Sequence, residues 1–387
     1  MPAEAGEATR GVDADRAAQR LHEADFVTVS AAATGDALAA TGLLVRACRA
    51  AGAPFQSRVR PDPETPAPDD DTVTIRVGDE APADLVLMGG ARPASLDAHA
   101  VAAAVDGADP SPALALAGAK AAGVHPGADG TGALLDAAKR GGLVARRPGL
   151  SVPTSDLADG LASSTRLRAP VSGDSEGARA FLAHLDLPAT LGDEAHRRVA
   201  SLVAVEAATS EGASDRAPMA IEWLLRPYAT PEGPFETLGG YADVLDAVAR
   251  EAPGAGVALA LGADKARDVA LGAWRDHARG VHNLLDEVTT ARYDGVFVAR
   301  ADDAAPGRLV TAARLLRDYR SPEPVELVVA EGAAAACATE PAGVRAQIAR
   351  AAEAVGDGSA FGGAVQAGAR FNGDVGEFVQ AFTEGRE

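Results

Sequence analysis

A strand-to-helix junction near the start of the chain carries the first residues that could form a catalytic or ligand-binding site. Residues 27–52, VTVSAAATGDALAATGLLVRACRAAG, are typical of a short apolar strand, a turn of small residues and an amphipathic helix. In α/β proteins, ligands bind at the carboxyl ends of parallel strands, and metal or phosphate sites are commonly built there. The turn offers one carboxylate, Asp36. Asp36 is therefore a candidate metal ligand, and the alternative is a side chain that interacts with the N-terminal dipole of its own helix.

A glycine-rich segment near the end of the chain, GDGSAFGGAVQAGARFNG, is a second candidate. Glycine lets backbone N–H groups approach a phosphate closely because no Cβ stands in the way. Gly362, Gly363 and Gly368 are therefore candidate phosphate-binding residues. A turn that only needs the backbone freedom of glycine explains this segment about equally well.

Four arginines share one loop-rich stretch of an otherwise acidic chain: Arg146, Arg147, Arg166 and Arg168. Clustered guanidinium groups contact phosphates in nucleic-acid complexes. The simpler alternative, which we favour, pairs them with the neighbouring Asp156, Asp159 and Asp174, because surface ion pairs are common. Arg166 and Arg168 are kept as candidates for nucleic-acid binding.

The other polar, sulfur-containing and aromatic residues fit structural roles. His125 and Asp129 share a loop, GVHPGADG, where a solvated histidine is more common than a metal ligand. Cys48 and Cys337 fit no metal or redox spacing and are predicted to lie in the core. Four more histidines fall on predicted helices among charged residues and are expected to face solvent: His184, His196, His277 and His282. Four aromatic residues are spaced too irregularly to form a base-stacking platform and are expected in the core or an interface: Trp223, Tyr228, Phe235 and Tyr241.

The segments that carry these residues alternate between strands and helices. Strands at DFVTVS, FQSRVR, TVTIRVG and ADLVLMGG alternate with helical segments, and the helix after the first strand ends at Gly52. This order predicts an α/β protein with a parallel, doubly wound sheet. Helical patterns then dominate before strands return, which predicts a second, smaller α/β domain. We expect a first domain over 1–172, a mainly helical connecting region over 173–290 and a C-terminal domain over 291–387.

Composition and charge limit the classes of protein to which the chain can belong. The chain has 387 residues, of which 47% are hydrophobic, and this is a globular composition with room for two or three domains. Acidic residues outnumber basic ones by 55 to 36, which gives a net charge of −19. Such acidity, with Arg favoured over Lys, is typical of proteins that stay soluble in a high-salt cytoplasm. Salt at that level weakens phosphate-driven binding without excluding a nucleic-acid ligand.

The sequence also predicts where the protein resides. No apolar run reaches the length of a membrane span, and the N-terminal stretch MPAEAGEATRGVDADRAAQR lacks the apolar core of a signal peptide. We therefore expect a cytoplasmic protein without a membrane partner.

Five fragments follow one another along the chain: SAAATGDALAATGLL, ADLVLMGGARP, AAAVDGADPSP, LALAGAKAAGVHPG and GSAFGGAVQAGARFNG. In this order they resemble the DHH phosphoesterase superfamily, and in particular its archaeal RecJ-like single-strand exonuclease branch, over most of the chain. The matching motifs of that family are His-x-Asp-x-Asp-Gly, Asp before Gly, Asp-His-His, Gly-Asp, and Gly-Gly-Gly-His followed by Ala-Ala-Gly. The resemblance implies a site whose acidic and histidine side chains hold two Mn²⁺ ions, which activate water and clamp the phosphate.

Compared with those motifs, the chain keeps the frame and lacks most of the metal ligands. Asp36 and Asp106 match two of the family's aspartates, although Asp106 is also a good turn residue before GADP. Residues other than Asp or His stand at the remaining positions: Ala32, Thr34, Met88, Gly107, Ala108, Ala121 and Ala122. In the last motif Gly363 replaces the histidine, or the histidine is deleted. Two Mn²⁺ ions repel each other unless several carboxylates neutralise them, so we expect a decayed metal centre, no cofactor, and Asp36 and Asp106 as remnants.

These observations favour a non-catalytic RecJ-like protein that works as an accessory subunit. The expected partner is a paralogous RecJ-like nuclease or the replication machinery, by analogy with the eukaryotic replicative-helicase subunit that shares this fold and has lost its metal centre. The expected ligand is single-stranded DNA or RNA in the cleft between the domains. One alternative is a binder of a small phosphorylated ligand. Another is an active Mn²⁺-dependent single-strand-specific exonuclease or phosphoesterase with other metal ligands, for which the candidates are Asp84, Asp97, Asp109, His125 and Asp129.

Overall fold

The chain divides into two compact units, and each is built from two separate segments. Unit 1 contains Met1–Ala145 and Ala229–Leu271, and unit 2 contains Arg146–Tyr228 and Gly272–Glu387. The computed structural model describes residues 12–62, 71–90, 92–185, 187–188, 191–263, 265–302 and 304–384. The three domains predicted from the sequence (1–172, 173–290 and 291–387) divide the chain at other residues and stay a prediction.

The helices and strands follow one another along these ranges. In chain order they are α1 (Ala14–Glu23), β1 (Phe26–Ala32), α2 (Gly35–Ala51), β2 (Phe55–Arg60), β3 (Thr72–Val77), β4 (Leu85–Leu87), α3 (Ala94–Ala103), α4 (Pro112–Ala121), α5 (Gly132–Arg140), β5 (Ala145–Arg146), α6 (Leu157–Ser163), α7 (Ser175–Ala183), α8 (Asp193–Thr209), α9 (Ala217–Glu222), β6 (Tyr228–Ala229), α10 (Leu238–Glu251), α11 (Pro253–Ala260), α12 (Ala266–Glu287), β7 (Thr289–Tyr293), β8 (Val296–Arg300), α13 (Pro306–Tyr319), β9 (Val325–Ala330), β10 (Ala333–Ala338), α14 (Val344–Ala354), β11 (Gly358–Gly362), β12 (Gln366–Phe371) and α15 (Val375–Glu384). None of the helices in the described ranges combines the length and the apolar character needed to cross a membrane.

Unit 1 has a four-stranded parallel sheet in the order β2-β1-β3-β4. β1 pairs with two neighbours, so that Val27 is aligned with Phe55 of β2 and with Val73 of β3. Every residue of β1 after the first is buried, as expected for an apolar strand between two others. α2 follows β1 directly and ends where Gly52 adopts a left-handed conformation with φ 76°, as the sequence predicts. The predicted α/β class with a parallel sheet is confirmed.

Small residues let the helices of unit 1 pack at close range around α2. A Cβ atom on Gly42 would lie 2.3 Å from the Cβ of Ala260, and a Cβ on Gly118 would lie 2.6 Å from the Cβ of Ala39. Two carbon atoms cannot approach so closely unless the backbone moves, so these glycines set the distances between the helices. The many Ala and Gly residues of the sequence therefore serve tight helix packing in this unit.

Unit 2 has a six-stranded sheet in the order β11-β12-β10-β9-β8-β7. β8 and β9 are parallel, and the other neighbouring strands are antiparallel. Apolar side chains pack on both faces of the sheet. Val328 and Ala335 lie in a core shared with α13, whereas Leu327 and Ala334 lie in a core shared with α14 and α15. A second α/β domain is present, as the sequence predicts, but the prediction that it is the smaller one is wrong, because unit 2 contains slightly more residues than unit 1.

One strand of this sheet differs from what its composition favours. β10, AAAACA in sequence, is a fully buried strand although alanine is the best helix former. It lies between β9 and β12 and contacts helices on both faces, where only small side chains fit. The glycine-rich segment of the sequence forms the hairpin of β11 and β12.

The cysteines and most of the aromatic residues lie where the sequence places them. Both Cys48 and Cys337 are buried and unpaired, which confirms their predicted place in the core. Three of the four aromatic residues are buried and the remaining one is half-buried: Tyr228, Phe235, Tyr241 and, half-buried, Trp223.

Candidate functional site at the carboxyl edge of the parallel sheet

The junction between β1 and α2 lies at the carboxyl edge of the unit 1 sheet, where the sequence predicts a site. Thr34 is the N-cap residue of α2, and its hydroxyl accepts a hydrogen bond from the N–H of Ala37 at 3.2 Å. Thr34 therefore starts the helix from the position where the family resemblance implies a metal-binding aspartate. A Cβ on Gly35 would lie 2.8 Å from the Cβ of Ala121 and 2.9 Å from the backbone nitrogen of Asp246. The last residue of α4 and the backbone of α10 thus pack directly on this junction.

Asp36, the candidate metal ligand of this turn, is buried and binds the start of another helix. Its Oδ2 accepts a hydrogen bond from the N–H of Ala94 at 2.7 Å, and its Oδ1 accepts one from the N–H of Ser95 at 3.0 Å. These are the first two residues of α3, whose own N-cap residue, Pro93, makes no side-chain capping hydrogen bond. Asp36 therefore acts as the cap that α3 lacks. Asp36 thus lies in the first turn of α2 and also contacts the N-terminus of a second helix, α3.

Burial changes the protonation of Asp36. Loss of water around the carboxyl raises its pKa from 3.8 to about 6; hydrogen bonds from Ser95 and Ala94 oppose this rise, and the charge of Asp97 adds to it. Asp97 lies in the first turn of α3 and pairs with Arg92 at 2.5 Å. At neutral pH, Asp36 is therefore mostly an anion held by the N–H groups of a helix N-terminus.

A second carboxylate, which the sequence analysis did not single out, occupies the N-terminus of α2. Oδ1 of Asp246 accepts a hydrogen bond from the N–H of Gly35 at 3.0 Å. Asp246 lies on α10 and pairs with Arg250 at 3.1 Å, and each of these two side chains is 5% exposed. A helix N-terminus attracts anions such as phosphate, and here a carboxylate of the protein takes that place. The i,i+4 spacing of Asp246 and Arg250 is visible in the sequence, but no local signal connects Asp246 to Gly35, 211 residues away.

The other positions that match the metal motifs carry either a side chain that does not suit Mn²⁺ or an aspartate that faces solvent. Met88 follows β4 directly, where the resemblance implies an aspartate, and its side chain is 50% exposed. Asp106, the second remnant, is exposed in the turn between α3 and α4. Gly107 after it has a left-handed conformation with φ 76°, which suits a turn. The two remnants therefore differ in environment, because Asp36 is buried and Asp106 faces solvent.

The donors at this edge do not fit a pair of Mn²⁺ ions. Manganese prefers carboxylate, carbonyl and water oxygens. Each carboxylate oxygen of Asp36 accepts one N–H hydrogen bond and keeps a second lone pair, but a single carboxylate cannot neutralise two Mn²⁺ ions. The hydroxyl of Thr34 caps its helix, and Met88 offers only a thioether. Throughout the ranges that the structure describes, no three His, Cys, Asp or Glu side chains come together in an arrangement that could hold a metal ion.

The alternative ligands of the sequence analysis have other surroundings. Asp84 accepts hydrogen bonds from the N–H and the hydroxyl of Thr74 at 3.0 and 2.7 Å, and these bonds lower the pKa of its carboxyl. Asp97 pairs with Arg92 as described above. The other three lie in loops: Asp109, His125 and Asp129.

The glycine candidates of unit 2 lie in the hairpin of β11 and β12. Gly362 ends β11 with a φ of 98°, and the N–H of Gly363 donates to the carbonyl of Gln366 at 2.8 Å. Gly368 lies against the ring of Phe361, since a Cβ on Gly368 would come within 2.4 Å of a ring carbon. These contacts are those of a turn and of ring packing. Phosphate binding by these glycines stays a prediction.

The arginine candidates have partners within unit 2. The guanidinium of Arg166 lies 4.7 Å from the ring centroid of Trp223, a cation–π distance. Arg168 donates to the carboxylate of Asp286 and to Nδ1 of His282, the latter at 3.4 Å. Nucleic-acid binding by Arg166 and Arg168 stays a prediction.

The aspartates expected to pair with the arginines have other contacts. Asp156 and Asp174 accept hydrogen bonds from the N–H groups of the second and third residues of α6 and α7, respectively, and so cap these helices. Asp159 accepts hydrogen bonds from Nε and Nη2 of Arg275 at 3.0 and 2.8 Å. Helix capping and a more distant arginine thus account for these three carboxylates.

A cavity of about 520 Å³ adjoins Arg168 in unit 2. Its charged lining residues are Arg168 and three carboxylates, those of Asp174, Glu176 and Asp286. Because negative charges outnumber the positive one, this cavity disfavours a phosphate.

Two of the histidines expected to face solvent are buried, and for them the prediction is wrong. His277 and His282 of α12 have no exposed surface. A carbonyl only accepts hydrogen bonds, so Nε2 of His282 is the donor to the carbonyl of Ser164 at 3.1 Å. Nδ1 of the same ring accepts from Arg168. Burial, together with the charge of Arg168, lowers the pKa of His282 to about 4. Charged residues near both histidines in sequence lie on other faces of the same helix, which the sequence alone does not reveal.

Glu326 of β9 places a carboxyl group in the core of unit 2. It has no exposed surface, and neither carboxyl oxygen has a hydrogen-bond partner within the described residues. Loss of water raises the pKa of Glu326 well above its usual value, and the nearby hydroxyl of Ser321, followed by the charge of Arg216, opposes this rise only in part.

Replacing Glu326 with glutamine is expected to stabilise the chain at high pH. A carboxyl whose pKa is raised by folding stabilises the folded state at low pH, and this contribution is lost as the pH rises through the folded-state pKa. Glutamine has no charge to bury. In urea unfolding, E326Q should exceed the wild type in free energy of unfolding at pH 8 and differ less from it near pH 4. Parallel pH profiles would contradict this account, and D268N, at a side chain that is 87% exposed, is the matched control.

Comparison with known proteins finds a relative whose sequence is similar along nearly the whole chain. The family described as "Uncharacterized protein rrnAC1427, C-terminal domain" matches residues 288–384. The uncharacterized protein rrnAC1427 of Haloarcula marismortui is 47% identical over 390 residues, which cover 99% of this chain and 100% of the relative.

Solved structures resemble the chain at low sequence identity. CDC45 from Entamoeba histolytica has a TM-score of 0.57 at 8% identity, over 96% of each chain. Exonuclease RecJ bound to manganese has a TM-score of 0.49 at 16% identity, over 97% of this chain and 95% of that one. A DHH domain from a member of the s1p family of ribosomal proteins has a TM-score of 0.40 at 12% identity, over 96% and 89%. The similarity to CDC45 shows a shared fold and, at this identity, the fold alone.

Proposed function

The chain belongs to the family of the uncharacterized protein rrnAC1427, and from this premise we propose that it is a RecJ-like protein of the DHH family with a decayed two-metal site. It works as a non-catalytic, nucleic-acid-binding accessory subunit of a nuclease or replication complex. Its partner is a paralogous RecJ-like nuclease or a replication protein, and its ligand is single-stranded DNA or RNA. The fold shared with CDC45 supports the choice of scaffold.

The observation that carries this proposal is the environment of Asp36, that is, its hydrogen bonds and the side chains around it. A two-metal phosphoesterase needs carboxylate oxygens that are free to bind cations and neutralise their mutual repulsion. Asp36 accepts one hydrogen bond on each oxygen, from Ala94 and Ser95, and among the described residues it is not joined by further His, Cys, Asp or Glu side chains in a group of three that could hold a metal ion. A carboxylate committed to a helix N-terminus supports a structural role for this edge and no hydrolysis at it.

The N-terminus of α2 supports the same conclusion. A phosphate at the carboxyl edge of the sheet would bind there, since this helix follows the central strand. The carboxylate of Asp246 accepts from the first N–H group of α2 and is itself neutralised by Arg250. Nucleic acid is therefore expected to bind elsewhere on the protein, through contacts other than a phosphate at this helix.

Purification of the tagged full chain from its native cells, at the salt concentration of the cytoplasm, tests the accessory role. We expect a nuclease or replication protein to be recovered in near-stoichiometric amount, and the complex to bind a labelled single-stranded oligonucleotide. We also expect the isolated chain to leave that oligonucleotide intact when Mn²⁺ is added. Recovery as a lone monomer would contradict the accessory role, and degradation that stops when a chelator is added would contradict the loss of catalysis.

A further inference from the structure

Two arginines of the loop-rich stretch, Arg146 and Arg147, form no ion pair with a described residue. The three aspartates that the sequence favours as their partners cap α6 and α7 or bind Arg275 instead. Arg146 is exposed. Nε of Arg147 is buried and has no hydrogen-bond partner among the described residues. A buried donor without an acceptor costs free energy, so a ligand that supplies an acceptor at this N–H is favoured.

One short segment of unit 2, Trp223–Tyr228, brings four arginines together, and we call it the arginine segment. The four are Arg146, Arg147, Arg166 and Arg226. At one end of the segment, the guanidinium of Arg166 lies over the ring of Trp223, 4.7 Å from its centroid. At the other end, the guanidinium of Arg146 lies over the ring of Tyr228 at 4.8 Å. Six residues span at most about 20 Å, so a strand of a few nucleotides is long enough to follow the segment.

The backbone of Arg226, within the arginine segment, is strained. Its φ is 52°, and the other non-glycine residue with a positive φ in the described ranges is Asp129. Aspartate tolerates this conformation, whereas a bulky side chain there is an outlier, and such outliers cluster at ligand-binding sites. The ion pair of Arg226 with Glu222 does not explain the strain, because it is 3.8 Å long and both side chains are more than 60% exposed.

The charged groups next to Arg147 leave its positive charge uncompensated. The N–H of Arg147 donates to the carbonyl of Pro227 in the arginine segment at 3.0 Å. Burial, and after it the charge of Arg147, lowers the pKa of His196, which places this imidazole beside the guanidinium. The carboxylate that acts on the same imidazole, Asp193, lies 3.9 Å from Arg197. In a chain with a net charge of −19, Arg146 and Arg147 thus keep free positive charge.

We propose that the arginine segment is the surface on which the protein binds single-stranded nucleic acid. Guanidinium groups bind phosphates through paired hydrogen bonds, and unpaired bases stack on guanidinium planes and aromatic rings. Both kinds of contact are short-range, which suits a high-salt cytoplasm, where charges more than about 3 Å apart are screened. The inference rests on the proposed nucleic-acid-binding function, and it adds the residues and the chemistry of the contact.

Fluorescence anisotropy of labelled oligothymidylate and oligouridylate tests the proposal with the full chain over a series of KCl concentrations. We expect R146A and R147A each to weaken binding about tenfold and to lower the slope of log Kd against log salt by about 0.7, the value for one lost phosphate contact on a single strand. R179A, at an exposed arginine of α7 that forms no ion pair with a described residue, is the matched control and should bind like the wild type. Melting temperatures equal to that of the wild type exclude an effect of misfolding.

R226G separates ligand binding from stability. Glycine adopts a φ of 52° without strain, so this variant should keep or raise the melting temperature and still bind the strand more weakly. If R146A, R147A and R226G all bind like R179A, the inference is wrong, and nucleic-acid binding stands at another surface. If the wild type binds no strand, either alone or in its native complex, both the inference and the proposed nucleic-acid binding fail. Displacement of the strand by polyglutamate of equal charge also overturns the inference, because the surface then accepts any polyanion.

Discussion

Replacing Asp246 with alanine should lower the free energy of unfolding by about 3–5 kcal/mol. The variant leaves the guanidinium of Arg250, 5% exposed, without its counter-charge, and it leaves the N–H of Gly35 without its acceptor. Removal of one partner of a buried ion pair is costly because the remaining charge stays desolvated. Urea unfolding of the full chain at pH 7 measures the effect.

The double variant D246A/R250M is the internal control for this prediction. Because it removes both charges, it should be more stable than D246A alone, which a double-mutant cycle reports as a favourable coupling between the two residues. D268A removes an aspartate whose side chain is 87% exposed and should change the free energy by less than about 1 kcal/mol. If D246A behaves like D268A, Asp246 does not hold the start of α2 as the structure shows.

Asp36 should make the chain less stable as the pH rises from about 4 to 7. Folding raises the pKa of this carboxyl from 3.8 to about 6, so its contribution is fully present below 3.8 and is lost as the pH rises through 6. Over the whole titration, a rise in pKa from 3.8 to about 6 changes the free energy of unfolding by about 3 kcal/mol. The D36N variant cannot titrate there, and we expect the wild type to lose about 2 kcal/mol relative to D36N between pH 4 and pH 7, because pH 4 already lies above the unfolded-state pKa of 3.8.

Urea unfolding at several pH values in this range measures that difference, with D268N as the matched control. Comparison of each variant with the wild type at the same pH cancels the contributions of other groups, such as His282, whose pKa is lowered to about 4 and whose effect has the opposite sign. Parallel profiles for D36N and the wild type would mean that Asp36 is solvated like an ordinary surface carboxylate.

Local signals in the sequence are sufficient to predict much of the secondary structure of unit 1. A short apolar run predicts the strand β1, and Gly52 marks the end of α2 because it can adopt a left-handed conformation. Local signals failed for β10, a run of alanines that forms a strand because both neighbouring strands and both helical layers leave room only for small side chains. Alanine's intrinsic preference for helices is weak and is overridden by such an environment.

The sequence predicted the position of the candidate site better than its contacts. The strand-to-helix junction at Asp36 was identified from its pattern, but its partner Ala94 is 58 residues away and Asp246 is 211 residues from Gly35. Contacts over such distances depend on how the helices pack, and a single sequence carries no local signal for them. His282 shows the same limit, since its burial depends on which face of α12 meets the core.

Titration of the purified full chain with Mn²⁺, followed by calorimetry and thermal unfolding, tests most directly the claim that this edge of the sheet holds helix caps in place of metals. We expect no saturable binding and a melting temperature that neither Mn²⁺ nor a chelator changes. Binding of one or two Mn²⁺ ions per chain, with a rise in melting temperature that a chelator reverses and that D36N abolishes, would contradict the account.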